Sequence, residues 1–107
     1  MIVVTTDTVA DHAITKTLGT VIGNTIRARH LGKDISAGLR SLVGGEITEY
    51  TGMMAESREQ ALQRMLERAE ELNADAIVGV RFQTSMIMQG SAELLVYGTA
   101  VNLKQNK

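Results

Sequence analysis

Residues 76–103 read Ala76-Ile77-Val78-Gly79-Val80-Arg81-Phe82-Gln83-Thr84-Ser85-Met86-Ile87-Met88-Gln89-Gly90-Ser91-Ala92-Glu93-Leu94-Leu95-Val96-Tyr97-Gly98-Thr99-Ala100-Val101-Asn102-Leu103, and this stretch decides the fold. Ala76, Val78, Val80, Phe82, Thr84, Met86 and Met88 share one parity, with Arg81, Gln83 and Ser85 on the other, which is the two-residue alternation of an amphipathic strand. Gln89-Gly90-Ser91-Ala92 reads as a turn and Leu94 to Leu103 as a second long strand, so the region predicts a hairpin. The polar Lys104-Gln105-Asn106-Lys107 end is expected to fray.

Upstream of the hairpin, Ile47, Tyr50, Met54, Ala61, Met65, Ala69 and Leu72 lie near one helical stripe, with Ala55, Leu62 and Leu66 beside it. The spacing predicts a helix of roughly 25 residues, about 37 Å long at the usual rise. Gly52 disfavours its first turns, and Ser57 with Gln60 offers a later capping-box start. Asn73 supplies the left-handed residue that closes a helix. A compact domain of this length has a radius of gyration of only ~13 Å and cannot cover so long a helix, so a neighbouring subunit is the simplest cover for the surplus apolar surface. Before the long helix, Ile35, Leu39, Leu42 and Val43 recur at helical spacing between Asp34 and the Gly44-Gly45 pair, predicting a short helix. Earlier still, Ile14 to Arg27 is rich in β-branched residues and carries Gly19 and Gly23, predicting a long strand with a bend or bulge at a glycine. Ile14, Leu18, Ile22 and Ile26 share one parity there and should form its buried face, with Val21 interrupting the polar set. A short N-terminal strand precedes it. The elements add up to an α+β fold, a mainly antiparallel sheet with one short and one long helix packed on one face.

Composition narrows the chemistry. The 107 residues fit one domain, 1–107, and 44% apolar against 21% charged residues supports a folded core. Tyr50, Phe82 and Tyr97 are the only aromatics, too few to make stacking platforms for single-stranded nucleic acid. There is no cysteine, which excludes disulfides, thiolate metal sites and a Cys nucleophile. A net charge of -1 gives no field to steer the chain onto nucleic acid or an anionic membrane. With neither a secretory leader pattern nor a membrane span, a cytoplasmic protein is the expectation.

Several motifs carry a resemblance: Asn24 through Tyr50, containing Asn-Thr-Ile-Arg-Ala-Arg-His, Lys-Asp-Ile-Ser-Ala-Gly-Leu-Arg and Val-Gly-Gly-Glu; the helical Glu56-Ser57-Arg58-Glu59-Gln60-Ala61; the junction Asn73-Ala74-Asp75-Ala76; and Met88-Gln89-Gly90 with Tyr97-Gly98-Thr99-Ala100-Val101. In this order and spacing they closely resemble the YbjQ-like family of uncharacterised bacterial and archaeal proteins, over nearly the whole chain. The resemblance implies a dodecin-like subunit assembled as a ring, a homopentamer, and it delivers no function. That family is sometimes labelled heavy-metal-binding. The absent cysteines, the two histidines and the lack of a His-x-x-x-His spacing give the label little support here.

Among candidate sites, Arg27, Arg29, His30 and Lys33 cluster at a strand-to-helix junction, where a helix N-terminus with basic neighbours could hold an anion; an exposed basic turn paired with Asp34, Glu46 or Glu49 is the plainer reading. Gly32-Lys33 is no phosphate-binding loop, because Arg27 stands where its first glycine belongs. His12 with Asp7 and Asp11, or His30 with Asp34, supplies too few groups for a metal unless symmetry adds the rest. Met86 and Met88 could suit a soft metal, though packing explains methionines more simply. The pairs Glu46/Glu49 and Glu56/Glu59 read as solvated helix surface, and no nucleophile motif occurs.

The sequence therefore points to a non-enzymatic homo-oligomer, without cofactor or metal, that takes a small anionic ligand or ion at subunit junctions through Arg29, His30, Lys33 and Arg40. The alternatives are a purely structural or protein-interaction module and a small-molecule enzyme with an intersubunit site.

Overall fold

The computed structural model describes residues 1–28, 48–88 and 91–106. Over these the chain runs β1 (Ile2–Val3), β2 (His12–Ala28), α1 (Thr48–Glu71), β3 (Ala76–Met88) and β4 (Ser91–Gln105). The expected short helix over Ile35–Val43 lies outside the described residues, as do Ile47 and the Tyr50 side chain. The four strands form one open sheet in the order β1-β3-β4-β2. β1 pairs with β3 in parallel, whereas β2/β4 and β3/β4 are antiparallel, so the sheet is mixed rather than purely antiparallel. At ~3.3 Å per residue the 17 residues of β2 span about 56 Å, which accounts for the 57 Å long axis of the molecule.

The helix runs from Thr48 through Gly52, so the early start holds and the later one at Ser57 does not. It packs over β2 and β4 on one face of the sheet. Ala61, Met65 and Ala69 are completely buried there, against Val21, Ile77, Val80, Leu94, Val96 and Ala100. Each fully buried Val or Met side chain is worth about 1.5–3 kcal/mol in transfer from water. The alanines matter for a second reason, because they let the helix approach a strand closely at Gly23. A Cβ there would run into the Ala61 carbonyl oxygen and lie 2.6 Å from the Met65 nitrogen.

The helix ends as the sequence predicts. Asn73 adopts φ 59°, its N–H donates to the Glu70 carbonyl at 2.9 Å, and the Ala74 N–H donates to the Ala69 carbonyl at 3.1 Å. These two bonds form a Schellman closure, with Ala74 completing it by packing on the core that holds Ala69.

Four sequence expectations are corrected. In β2 the expected buried face, Ile14, Leu18, Ile22 and Ile26, is not the face beneath the helix. The register shifts between Thr17 and Gly19, with Gly19 at φ 127°, so Leu18 joins Val21 and Thr25 on the helix side while Ile22 and Ile26 turn to the reverse side and stay exposed. The bulge at a glycine was expected, but its effect on parity was not. In β3 a second shift lies between Val78 and Arg81, with Gly79 at φ 63°. It splits the single predicted parity: Ala76 and Val78 pack with Val101, Val4, Val9 and Leu103 in a separate small cluster, whereas Val80 enters the core under the helix. Finally, Ser91 and Ala92 belong to β4 rather than to a turn, and the C-terminal end is paired through Gln105 instead of frayed. Asp11, at φ 61°, turns the chain so that its carbonyl accepts the Asn106 N–H at 2.8 Å.

Candidate functional site

Two side-chain networks hold the sheet at its ends. At the helix-to-β3 junction the Asp75 carboxylate accepts the Leu103 N–H at 2.9 Å and the Asn102 amide at 3.3 Å, and that same amide donates to the Asn73 carbonyl at 2.9 Å. The Asn73-Ala74-Asp75 motif thus closes the helix and covers the β4 backbone where β3 has not yet begun. Near the other edge, Arg64 reaches from α1 to donate to the Asn24 carbonyl at 2.6 Å, while the Asn24 amide donates to Glu93 at 3.2 Å.

Beside Asn24, Thr25 is buried under the helix and its hydroxyl donates to the Ser57 carbonyl at 3.3 Å. The Ser57 hydroxyl is itself buried and has no hydrogen-bond partner among the described residues. Buried polar groups usually find partners, so this one stands out. Nothing in the sequence singled it out beyond its place as a helix-start candidate.

The larger feature is apolar and exposed. The N-terminal segment covers the outer edge of β3 only as far as Val80, through Val4 N–H to Ile77 O, Gly79 N–H to Thr6 O and Val80 N–H to Val4 O. Arg81 ends this cover by donating to the Thr5 carbonyl at 2.8 Å and the Val80 carbonyl at 2.9 Å. From there to Met88 every residue of β3 is exposed, and among the described residues no backbone partner lies along its outer edge. The register pairs Phe82 with Val96 and Thr84 with Leu94, which places Phe82, Thr84 and Met86 on the helix side of the sheet but, among the described residues, outside the core that α1 packs on. Phe82 is 49% exposed and Met86 82%. Met86 and Met88 are therefore not packing residues; Met65 and Met54 fill that role. On the reverse side, Ile22 registers with Tyr97 and Ile26 with Glu93, giving a second patch in which Ile26 is 61% exposed.

The predicted site residues Arg29, His30, Lys33 and Arg40 all lie outside the described residues, as does Glu46. His12 is described: its Nδ1 sits 2.7 Å from the Ala10 carbonyl oxygen. Among the described residues no three His, Cys, Asp or Glu side chains converge as a metal centre needs, so these residues do not fit a bound heavy metal. Glu56 and Glu59 lie on the exposed side of α1. No helix among the described residues is long and apolar enough to cross a membrane.

The family model described as "Putative heavy-metal-binding" matches residues 1–104. A UPF0145 protein of Methanosarcina acetivorans is 62% identical over 103 residues, covering 96% of this chain and 97% of its own. A UPF0145 protein of Archaeoglobus fulgidus is 56% identical over 104 residues, covering 97% and 96%. In fold, the chain is similar to a crystal structure of a protein of unknown function from the DUF74 family of Pediococcus pentosaceus, with a TM-score of 0.70 and 18% identity over 97% of this chain and 98% of that one. With the model matched along almost its whole length and relatives this similar from end to end, the chain belongs to the YbjQ_1 family.

Proposed function

We propose that the protein is a non-enzymatic, cytoplasmic homo-oligomer, a ring of five subunits, that holds a small anionic ligand at the junctions between them. The observation that carries this reading is the uncharged, exposed run of β3 from Phe82 to Met88. Natural sheets protect open edges with charge, proline or a covering segment, and this run has none of these among the described residues. Apolar strand surface left bare in this way marks a contact site.

Chain connectivity supports the placement of the ligand. Ala28 at the end of β2 and Met88 at the end of β3 both register with Ser91. β2 therefore ends at Ala28, one residue before the basic stretch, at the end of the sheet where the bare strand lies. Arg29, His30, Lys33 and Arg40 supply cationic and N–H donors in the number a small dianion needs. The heavy-metal label does not enter this reading, since the donor set lacks thiolates altogether.

Native mass spectrometry of the protein purified from its own cells, followed by titration calorimetry with inorganic phosphate, tests the proposal. The expected result is a pentamer whose phosphate affinity falls at least tenfold in the Arg29→Ala/Lys33→Ala variant. A monomer, or phosphate affinity that this variant leaves unchanged, overturns it.

A further inference from the structure

We propose that residues 1–9 form a strap that releases from the sheet as a unit while the core under α1 stays folded, with Arg81 as its latch and Asp11 as its pivot. β1 lies along the outer edge of β3 and β2 is at the opposite edge of the sheet, so residues 4–11 cross its full width. They cross on the face away from the helix. Ile77 and Ala100 are register partners in the core under α1, whereas Ala76 and Val101, one residue along each strand, pack with Val4 and Val9.

Among the described residues the strap's grip is light. Val3, Val4 and Val9 are its only half-buried side chains, and the rest of residues 1–9 are exposed. The core beneath the helix instead holds Met65, Ile77 and Val96 at complete burial. A segment with few buried apolar contacts and exposed backbone bonds opens at a fraction of the free energy of global unfolding.

The bulge in β3 gives the strap bonds of its own. In a regular strand successive N–H groups point to opposite edges, but Gly79 and Val80 both donate outward, to the Thr6 carbonyl at 2.8 Å and the Val4 carbonyl at 3.1 Å. Gly79, at φ 63°, permits this, and the β3/β4 register skips both residues. Arg81 follows directly. Its exposed guanidinium donates to the Thr5 carbonyl at 2.8 Å and the Val80 carbonyl at 2.9 Å, tying strap to strand with the stronger, charged kind of donor. At the far end Asp11 stays fixed, its carbonyl accepting the Asn106 N–H beyond a left-handed turn at φ 61°. Release bares Ala76, Val78 and Val101 on one face and frees two outward N–H groups next to the run that begins at Phe82. The strap therefore sets how much of the β3 edge is free.

Amide hydrogen exchange on the intact chain, followed by NMR over a range of sub-denaturing urea concentrations, tests the proposal. The Val4, Gly79 and Val80 amides are expected to share one opening equilibrium, at least tenfold less protected than Leu94 and Val96 and with a much shallower urea dependence. Arg81→Ala should lower the protection of all three together by about tenfold, the loss of one charge-assisted bond. Val9→Ala, which touches none of these amides and acts from the other face, should lower the same three together. Urea slopes equal to those of Leu94 and Val96 overturn the proposal, because the strap would then open only with the whole fold. Three unrelated opening rates, or a Val9→Ala variant that leaves Gly79 and Val80 unchanged, overturn release as a unit. Unchanged protection in Arg81→Ala overturns the latch.

Discussion

Gly23 lies directly beneath Ala61, so close that a Cβ at residue 23 would enter the Ala61 carbonyl oxygen. The long helix and the long strand are thus joined where neither offers a side chain beyond a methyl group. This contact sets the depth of the core, because Met65 next to it is completely buried only if the helix lies this low.

Gly23→Ala is expected to destabilise the fold by about 3 kcal/mol, the upper end for overpacking, since the obstructing atoms are helix backbone and cannot swing away. Gly52→Ala is the contrasting change: its Cβ would meet nothing within 4 Å, and a helix-interior alanine is favoured over glycine by about 1 kcal/mol. Urea denaturation of both variants checks the opposite signs.

Ser57→Ala removes a buried hydroxyl that has no partner among the described residues while keeping the backbone carbonyl that Thr25 uses. The variant should be more stable by about 1 kcal/mol, because an unsatisfied polar group is relieved and alanine is the better helix former. A loss of stability on the same denaturation assay would mean that the hydroxyl has a partner in solution.

At the helix end, Asn73→Gly should be neutral and Asn73→Ala should cost about 1 kcal/mol, since only the second places an unassisted Cβ in the left-handed region. Asp75→Ala removes both bonds to the β4 backbone and its Asn102 neighbour, at a cost of about 1 kcal/mol. Hydrogen exchange at the Leu103 amide should accelerate in the Asp75 variant and remain unchanged in Asn73→Gly.

Much of the architecture could be read without coordinates. The helix stripe around Ala61, Met65 and Ala69, the left-handed Asn73 and the hairpin strands follow from local periodicity and backbone preference, and the structure places them where the residues indicate. The proposed ligand residues, Arg29, His30, Lys33 and Arg40, rest on the sequence and on the connection from Ala28.

Which face of each strand is buried was decided only in three dimensions. Alternation assigns faces correctly while the strand stays regular, but one extra residue reverses every side chain beyond it. The bulges at Leu18–Gly19 and Gly79–Val80 do this in β2 and β3, moving Ile22 and Ile26 into the open and Val80 into the core. The bare strip from Phe82 to Met88 likewise depends on where the helix comes to rest. Sequence alone determined that the strip would belong to an amphipathic strand. The seating of α1 on Gly23, over β2, β4 and the first half of β3, decided that among the described residues the strip beyond Val80 is left uncovered, because close approach is possible only where no side chain stands in the way.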